Sequence, residues 1–379
     1  MRILLIGEYS RLHNSLKEGL LQLGHEVVIV ADSDGFKDFP VDHSIDYKFS
    51  KTKIINIPRQ VIARLFHYDI AKLEKGIRFY LLLKKVKNFD IVQFINETPI
   101  KTNKNFELFL LKKVFETTKK VFVLSCGVDY LNMKFDLENK SKKSILQPFF
   151  QDPSLTKEYH SLFAYLKENH KKLHTFVLEK CSGIIATDFD YVAAISQNPK
   201  YSGFIPYPIN HNKLLFQELS IESKIVIFLG INEWSYNQKG ISYFEKALEI
   251  IKIKYEKKVE IIITKTLAYD LYIDSYNKAH ILLDQSFSCD QGYNALEAMA
   301  KGKVVFTGAE KEFVQHYNLS ERVAVNALPD VDYLVMELSF LIEHPEEIIA
   351  IGKRARAFVE KEHDYIKIAT QYLETWNKA

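Results

Sequence analysis

Short apolar, β-branched runs alternate with amphipathic runs along this chain, and the alternation is played out twice. MRILLIG is followed by NSLKEGLLQLGH, with Leu16, Leu20 and Leu23 on one helical face, and then by EVVIVAD. DIVQFIN, FELFLLKKVFETTKK, KVFVLSC, a helical stretch near HTFVLEKCS and GIIAT continue the series. Alternation at this spacing predicts a parallel sheet wrapped by helices on both faces. GFIPYPIN (203–210) then interrupts with two prolines, and IVIFLGI, ISYFEKALEIIKIKY, VEIIIT, AHILLDQ, NALEAMAKG and KVVFTG begin a second set. The expected fold is α/β, two Rossmann-like doubly wound domains, 1–205 and 206–362, hinged at the prolines. Residues 363–379 read as a closing helix, with Tyr365, Ile368, Tyr372 and Trp376 at helical spacing, packing back on the first domain.

Length agrees with two domains, because 379 residues exceed what one core supports. No apolar run approaches the roughly 18 residues of a membrane span, and the N-terminal run is too short for a signal peptide and reads as a first strand. Cys126, Cys181 and Cys289 lack metal-ligand spacing, and their odd number argues against a disulfide framework, so a reducing cytoplasm is expected. The net charge of +3 hides an asymmetry. Residues 1–205 hold 31 Lys and Arg against 23 Asp and Glu (+8), and residues 206–379 hold 20 against 25 (−5). Lysine pairs at 84/85, 112/113, 119/120, 142/143 and 171/172 suggest that the first half meets an anionic membrane surface. The pairs are scattered and no recognition motif accompanies them, which argues against nucleic acid.

Two hinged domains of this class leave a cleft between the C-terminal ends of their sheets. The first domain offers GEYSRLHN (7–14), with Tyr9, Ser10, Arg11 and His13, then 96–98, and CGVD (126–129) ending in Asp129. The second offers GINEWSYNQKG (230–240), with Gly230, Asn232 and Lys239, then Lys265, Asp284, Gln285 and the stretch CDQGYNALEAMAKG (289–302). In that stretch Asn294 reads as an N-cap, Glu297 follows at capping-box distance, and Gly302 supplies a left-handed stop. The same helix N-terminus, entered through Gln291, Gly292 and Tyr293, carries partial positive charge and free N–H groups suited to a phosphate or a sugar hydroxyl.

GHEV, PYPIN, G-x-N…KG, LEAMAKGK and FVEKEHDYIKIATQYLETW, in this order, resemble the GT-B glycosyltransferases. The similarity is to the large retaining family that includes many bacterial capsule, lipopolysaccharide and glycolipid enzymes. It implies a nucleoside-diphosphate sugar, UDP- or GDP-linked, held mostly by the second domain, and an acceptor held mostly by the first. Glu297 matches the second glutamate of the family's E-x7-E motif and is expected to hold the donor ribose. Lys239 matches the lysine that neutralises the diphosphate, and Gly292 the glycine of the loop beneath it. The chain departs from the pattern at four places. Cys289, followed by Asp290, stands where the motif has its first glutamate. Asn232 lies near the position of a usual arginine, SCGVD replaces a strand end that often carries histidine, and Tyr9, Ser10, Arg11 and His13 occupy the loop where a glycine pair is usual.

A departing diphosphate develops negative charge, which pre-positioned cations and helix N–H groups can meet. Lys239 is the first candidate, with Lys265 and Arg11 behind it. No acidic DxD-type pair stands at a clear strand end, so no metal or other cofactor is expected, and Asp188 and Asp190 read as helix-capping. A thiol cannot accept from sugar hydroxyls as a carboxylate does, so Asp290 is expected to take the missing glutamate's role. The catalytic candidates are therefore Lys239, Asp290 and Glu297. Gly230, Asn232, Lys265, Asp284, Gln285, Gln291, Gly292, Tyr293 and Asn294 are donor-side, and Tyr9, Ser10, Arg11, His13 and Asp129 line the acceptor side. The expected activity is retaining sugar transfer to a glycan, lipid-linked or protein-linked acceptor in bacterial surface-glycan assembly, in the cytoplasm or at the inner face of the plasma membrane. A non-catalytic nucleotide- or glycan-binding relative and a sugar-nucleotide epimerase of the same fold are the alternatives.

Overall fold

The computed structural model describes residues 1–32, 38–66, 69–118, 120–140, 142–265 and 269–378. The first half forms a parallel sheet of β1 (Arg2–Ile6), β2 (Glu26–Ala31), β3 (His43–Ser44), β4 (Ile91–Phe94), β5 (Lys120–Ser125), β6 (Gly183–Ala186) and β7 (Tyr201–Phe204), in spatial order β3-β2-β1-β4-β5-β6-β7. The second forms β8 (Ile225–Ile231), β9 (Val259–Lys265), β10 (Ile281–Leu283), β11 (Val304–Thr307) and β12 (Val325–Asn326), in order β12-β11-β10-β8-β9. The helices of the first half are α1 (Leu12–Gln22), α2 (Lys53–Phe66), α3 (Ile70–Leu82), α4 (Lys104–Thr117), α5 (Tyr130–Glu138), α6 (Gln147–Gln151), α7 (Thr156–Phe163), α8 (Glu168–Lys180) and α9 (Phe189–Ile195). Those of the second are α10 (Ile241–Lys254), α11 (Tyr269–Lys278), α12 (Tyr293–Ala300), α13 (Lys311–His316), α14 (Val331–Glu343), α15 (Pro345–Glu362) and α16 (Tyr365–Lys378). The architecture is the α/β arrangement that the alternation of runs predicts.

The strands carry almost unbroken apolar runs because helices cover both faces of each sheet. In β1 the period of two sends Leu4 and Ile6 toward Leu110, Leu111, Leu173 and Val177, and Ile3 and Leu5 toward Leu12, Leu16 and Leu20. The second layer continues without a break through Ile205, Tyr207 and Ile209 of the hinge into Tyr293, Leu296 and Met299 of the other half.

The last helix completes the first half. α16 lies against α1, where a Cβ on Gly19 would come within 2.2 Å of the Tyr365 carbonyl oxygen, so only glycine permits this approach. Trp376 is fully buried, its indole N–H donating to Gln93 Oε1 at 3.2 Å, and Lys120 Nζ donates to the Trp376 carbonyl at 3.1 Å. The hinge is clamped from the same direction. Ile209 N–H donates to His363 O at 2.7 Å, and His363 Nδ1–H to Tyr207 O at 2.9 Å, with burial holding that imidazole down to about 4 and hence neutral. On the α1 side Glu18 accepts from Arg11, Asn210 and Lys213 at 2.6–2.8 Å.

Candidate active site

In an open α/β sheet the crevice lies where chain connections diverge to opposite sides. In the first sheet this point falls between β1 and β4, and in the second between β8 and β10. The loops leaving these strands face each other across a cavity of about 590 Å³. Glu8, Tyr9 and Ser10 form one wall, Cys126, Gly127 and Val128 the floor, and Gly292 and Tyr293 the opposite wall, with Tyr165, Tyr191 and Tyr207 filling the corners.

The wall after β1 is shaped by backbone. Gly7 has φ 86°, and a Cβ there would come within 2.3 Å of Ile95 Cγ2. Ser10 and Arg11 also lie at positive φ, 49° and 75°. This turn brings the Glu8 carboxylate under the start of α1, where it accepts from His13 N–H at 3.3 Å, Asn14 N–H at 2.8 Å and the Asn14 side chain at 2.7 Å. Burial pushes its carboxyl up to about 7 against those three donors. Tyr9 lines the cavity with Lys101 Nζ 4.7 Å from its ring centroid, and Ser10 is exposed beside it.

The other first-domain candidates turn away from the cavity. His13 is fully buried. Its Nδ1–H donates to Gly7 O at 2.6 Å, and its Nε2 accepts from the Gln93 amide at 3.2 Å, the amide being oriented by Trp376. Burial lowers this imidazole to about 4, so it is a neutral core group joining the β1 turn to β4 and α16 rather than a cleft residue. Arg11 runs along α1 to Glu18 at 2.8 Å. Asp129 caps α5, accepting from Asn132 N–H at 2.8 Å and from Ser125 Oγ at 3.1 Å, and burial raises its carboxyl.

On the second-domain wall, helix α12 starts at Tyr293 with Gly292 as its cap, and among the described residues no side chain caps it. Asn294 is thus already helical, and the expected N-x-x-E capping box does not form. Asn294 instead donates to Asp284 Oδ1 at 3.4 Å and accepts from Tyr272 Oη at 3.3 Å. Lys239 Nζ pairs with the same Asp284 oxygen at 2.9 Å. Asp284 is 3% exposed and Lys239 32%, so the ammonium stands at the solvent side of the pair. Tyr293 crosses the interdomain gap, its hydroxyl 2.6 Å from Ser15 Oγ. Glu297 is half-buried about one turn from the α12 entrance. Gln285 lies beneath the loop, with Nε2 3.7 Å from where a Gly292 Cβ would be, and Gln291 is buried and donates to Gly308 O at 2.7 Å.

Three donor-side candidates serve local structure. Gly230 makes room for Tyr272, whose ring would lie 2.6 Å from an added Cβ. Asn232 accepts from Trp234 N–H at 3.1 Å, opening a short 3-10 turn. Lys265 ends the edge strand β9, 60% exposed and 3.5 Å from Glu245.

Asp290 is not on the cavity wall. It is buried in a seam between the halves, accepting from Gln291 N–H at 2.7 Å and from Phe189 N–H at 3.4 Å. Asp190 reaches the other way, accepting from Cys289 N–H at 2.7 Å and Ser288 Oγ at 2.6 Å, while Asp188 caps α9. Burial, with Asp190 adding repulsion, pushes the Asp290 carboxyl up to about 7, and burial raises Asp188 as well. Cys289 is buried here and its thiol is pushed up by burial. The expectation that Asp290 replaces a donor-facing glutamate is therefore corrected. The stretch that would carry it into the cleft is committed to the seam.

Residues 234–374 match a protein family described as glycosyl transferase-like. Across the whole chain the fold is that of sucrose-phosphate synthase from Thermosynechococcus elongatus, with TM-score 0.61, 14% identity, and coverage of 100% of this chain and 98% of that one. HepE from Anabaena, solved with UDP and glucose, gives 0.58 at 11% identity over 100% of both chains. A UDP-GlcNAc 2-epimerase from Neisseria meningitidis, solved with UDP-GlcNAc, gives 0.52 at 12% identity over 100% of both. Comparison with curated proteins by sequence finds no match. The chain has the GT-B fold of these neighbours, and its residues 234–374 are glycosyl transferase-like.

In this GT-B chain the family match begins at Trp234, so it takes in the loop with Lys239 and the whole of α12 but none of the β1 wall. Glu8 was missed in the sequence. Its only signal was a carboxylate directly after the first strand's glycine. Tyr165, Tyr191 and Tyr207 carry no signal of the cavity in the sequence, because they come from separate segments that only the fold brings together.

Proposed function

We propose that this protein transfers a sugar from a nucleoside diphosphate to an acceptor hydroxyl bound in the interdomain cavity. The observation that carries the reading is the α12 N-terminus. Its cap residue, Gly292, offers no side chain to it, it opens into a cavity of about 590 Å³, and Lys239 shares the Asp284 carboxylate with Asn294 of its first turn. The diphosphate sits on the helix N–H groups with Lys239 as counter-charge, and Glu297 takes the donor ribose. The acceptor enters along Tyr9 and Ser10. UDP is the proposed carrier, supported by the UDP-bound neighbours of the same fold.

Retention of configuration is part of the proposal. Inversion needs a base at the acceptor hydroxyl. Among the described lining residues Glu8 is the one carboxylate, and its oxygens are engaged by His13 and Asn14. With front-side attack the departing diphosphate oxygen itself receives the acceptor proton. No metal is assigned a role, since Lys239 and the helix N–H groups face the developing charge, and transfer is proposed to persist in EDTA. The setting proposed is surface-glycan assembly at the cytoplasmic face of a bacterial membrane.

The test is to incubate the protein with UDP-, GDP- and dTDP-sugars, with and without glycan and lipid-linked acceptors. Acceptor-dependent release of the nucleoside diphosphate, with an anomer matching the donor, is expected. Sugar isomerisation without acceptor would make it an epimerase, and a raised melting temperature without turnover would make it a binding protein.

A further inference from the structure

Residues 48–87 hold eleven Lys and Arg against two Asp and Glu, a net +9, whereas residues 1–205 as a whole net +8. The basic excess of the first domain is thus confined to one stretch rather than scattered along lysine pairs. That stretch folds as a 3-10 turn (Phe49–Lys51), α2 and α3. Its two carboxylates are already engaged, Asp69 by Arg59 at 2.7 Å and Glu74 by Arg78 at 2.8 Å. Lys48, Arg64, Lys84 and Lys85 lie exposed.

The same stretch carries apolar side chains on the outside. Ile54 is 87% exposed, Ile57 70% and Val61 51%, at positions i, i+3 and i+7, which share one face of α2. Phe49 is 68% exposed and lies beneath the Arg78 guanidinium, 5.5 Å from its ring centroid. On α3 the exposed Ile77, Tyr80 and Leu81 again fall on one face, and Tyr80 is 6.2 Å from Phe109 of α4. Aliphatic side chains held in water carry an unfavourable free energy that burial relieves.

The charge identifies the partner. A second copy of this face would set +9 against +9. Nucleic acid supplies phosphates but also bases, which stack on aromatic rings and gain little from isoleucine tips. An anionic bilayer meets both requirements, with headgroups for the lysines and an acyl layer for Ile54, Ile57 and Val61. Among the described residues no helix is long and apolar enough to cross a membrane, which leaves docking on its surface. We propose that α2, with Phe49 and the outer face of α3, is a docking surface for anionic lipid. The inference uses no residue of the cavity and so stands or falls apart from the transfer reading.

The test is co-sedimentation of the full chain with sucrose-loaded vesicles, of phosphatidylcholine alone or with about a third phosphatidylglycerol. Binding is expected to the mixed vesicles only, and to weaken as salt rises through about 0.15 M, where screening shortens to about 8 Å. Ile54→Asp with Ile57→Asp, and separately Lys84→Glu with Lys85→Glu, should each lower partitioning by about tenfold or more. Melting temperatures of the variants should stay near that of the parent, since these side chains are exposed, and Ile57→Ser serves as a milder check. Equal binding to neutral vesicles, no binding at all, or isoleucine variants that bind like the parent would overturn the proposal. So would sedimentation equilibrium showing a dimer that the isoleucine changes dissociate.

Discussion

Two corners of the molecule are built alike and finished differently. In each, a parallel strand runs through a short loop into a helix whose N-terminus faces the cavity, β1 into α1 and β10 into α12. At the first corner the chain supplies its own anion, because Glu8 accepts from the N–H groups of His13 and Asn14. At the second no side chain among the described residues accepts from the first N–H groups of α12, and Lys239 pairs with the Asp284 carboxylate that Asn294 of its first turn also meets. A helix N-terminus satisfied by a carboxylate has spent its attraction for a phosphate, and one left uncapped has not. On the transfer reading proposed above, the donor's charge is expected at the second domain. The first is left with a wall of tyrosine and serine suited to a neutral acceptor.

The largest effect should follow from disturbing the open corner. Replacing Lys239 with Ala is expected to slow transfer by about 10²–10³-fold, the scale for losing one group that meets charge in the transition state. Lys265→Ala is the comparison, since that lysine is 60% exposed and pairs with Glu245 at the sheet edge, and its kinetics should match the parent's. Equal losses in the two variants would mean that general surface charge, not the α12 corner, handles the diphosphate.

The next effect concerns the seam that keeps the corners facing each other. Asp290 is buried near Asp190 with its carboxyl raised to about 7, well above a free carboxylate. The stabilising contribution is fully present below about pH 4, where the group is protonated folded or unfolded, and is lost as pH rises through about 7. Asp290→Asn should therefore raise the melting temperature at pH 8, by a stabilisation on the order of 2 kcal/mol, and the gain should shrink steadily toward pH 4. Transfer should be little changed. A variant that is no more stable at pH 8, or that loses turnover about 10²-fold, would return Asp290 to the active site.

What the sequence disclosed and what it withheld divide along the range of the interactions. The paired sheets and the helix after CDQG are written in local period and turn chemistry, and they are legible. The position of Asp290 was not, because it is decided by Phe189 and Asp190, about a hundred residues earlier in the chain. His13 looked like a first-turn cleft residue until Gln93 and Trp376, from two other elements, took it into the core. Asn294 satisfies every local rule for an N-cap, yet Asp284 and Tyr272 hold its side chain, and the helix starts two residues earlier than such a cap would place it, at Tyr293. Tertiary partners overrode a sound local preference each time.

The smallest effect tests the closed corner directly. Glu8→Ala removes the acceptor of two helix N–H groups, which should cost about 1 kcal/mol, typical of a lost cap. The loss is modest because the carboxylate is itself disfavoured by burial, its carboxyl raised to about 7 while three donors pull it down. If the first corner is closed to anions only because Glu8 fills it, the variant should gain what the parent lacks. Sulfate should then raise the melting temperature of Glu8→Ala more than that of the parent, by a few degrees at most, while sodium chloride at equal ionic strength should not distinguish them. If sulfate affects both proteins equally, the α1 terminus has no anion preference of its own, and the contrast between the corners would rest on Lys239 alone.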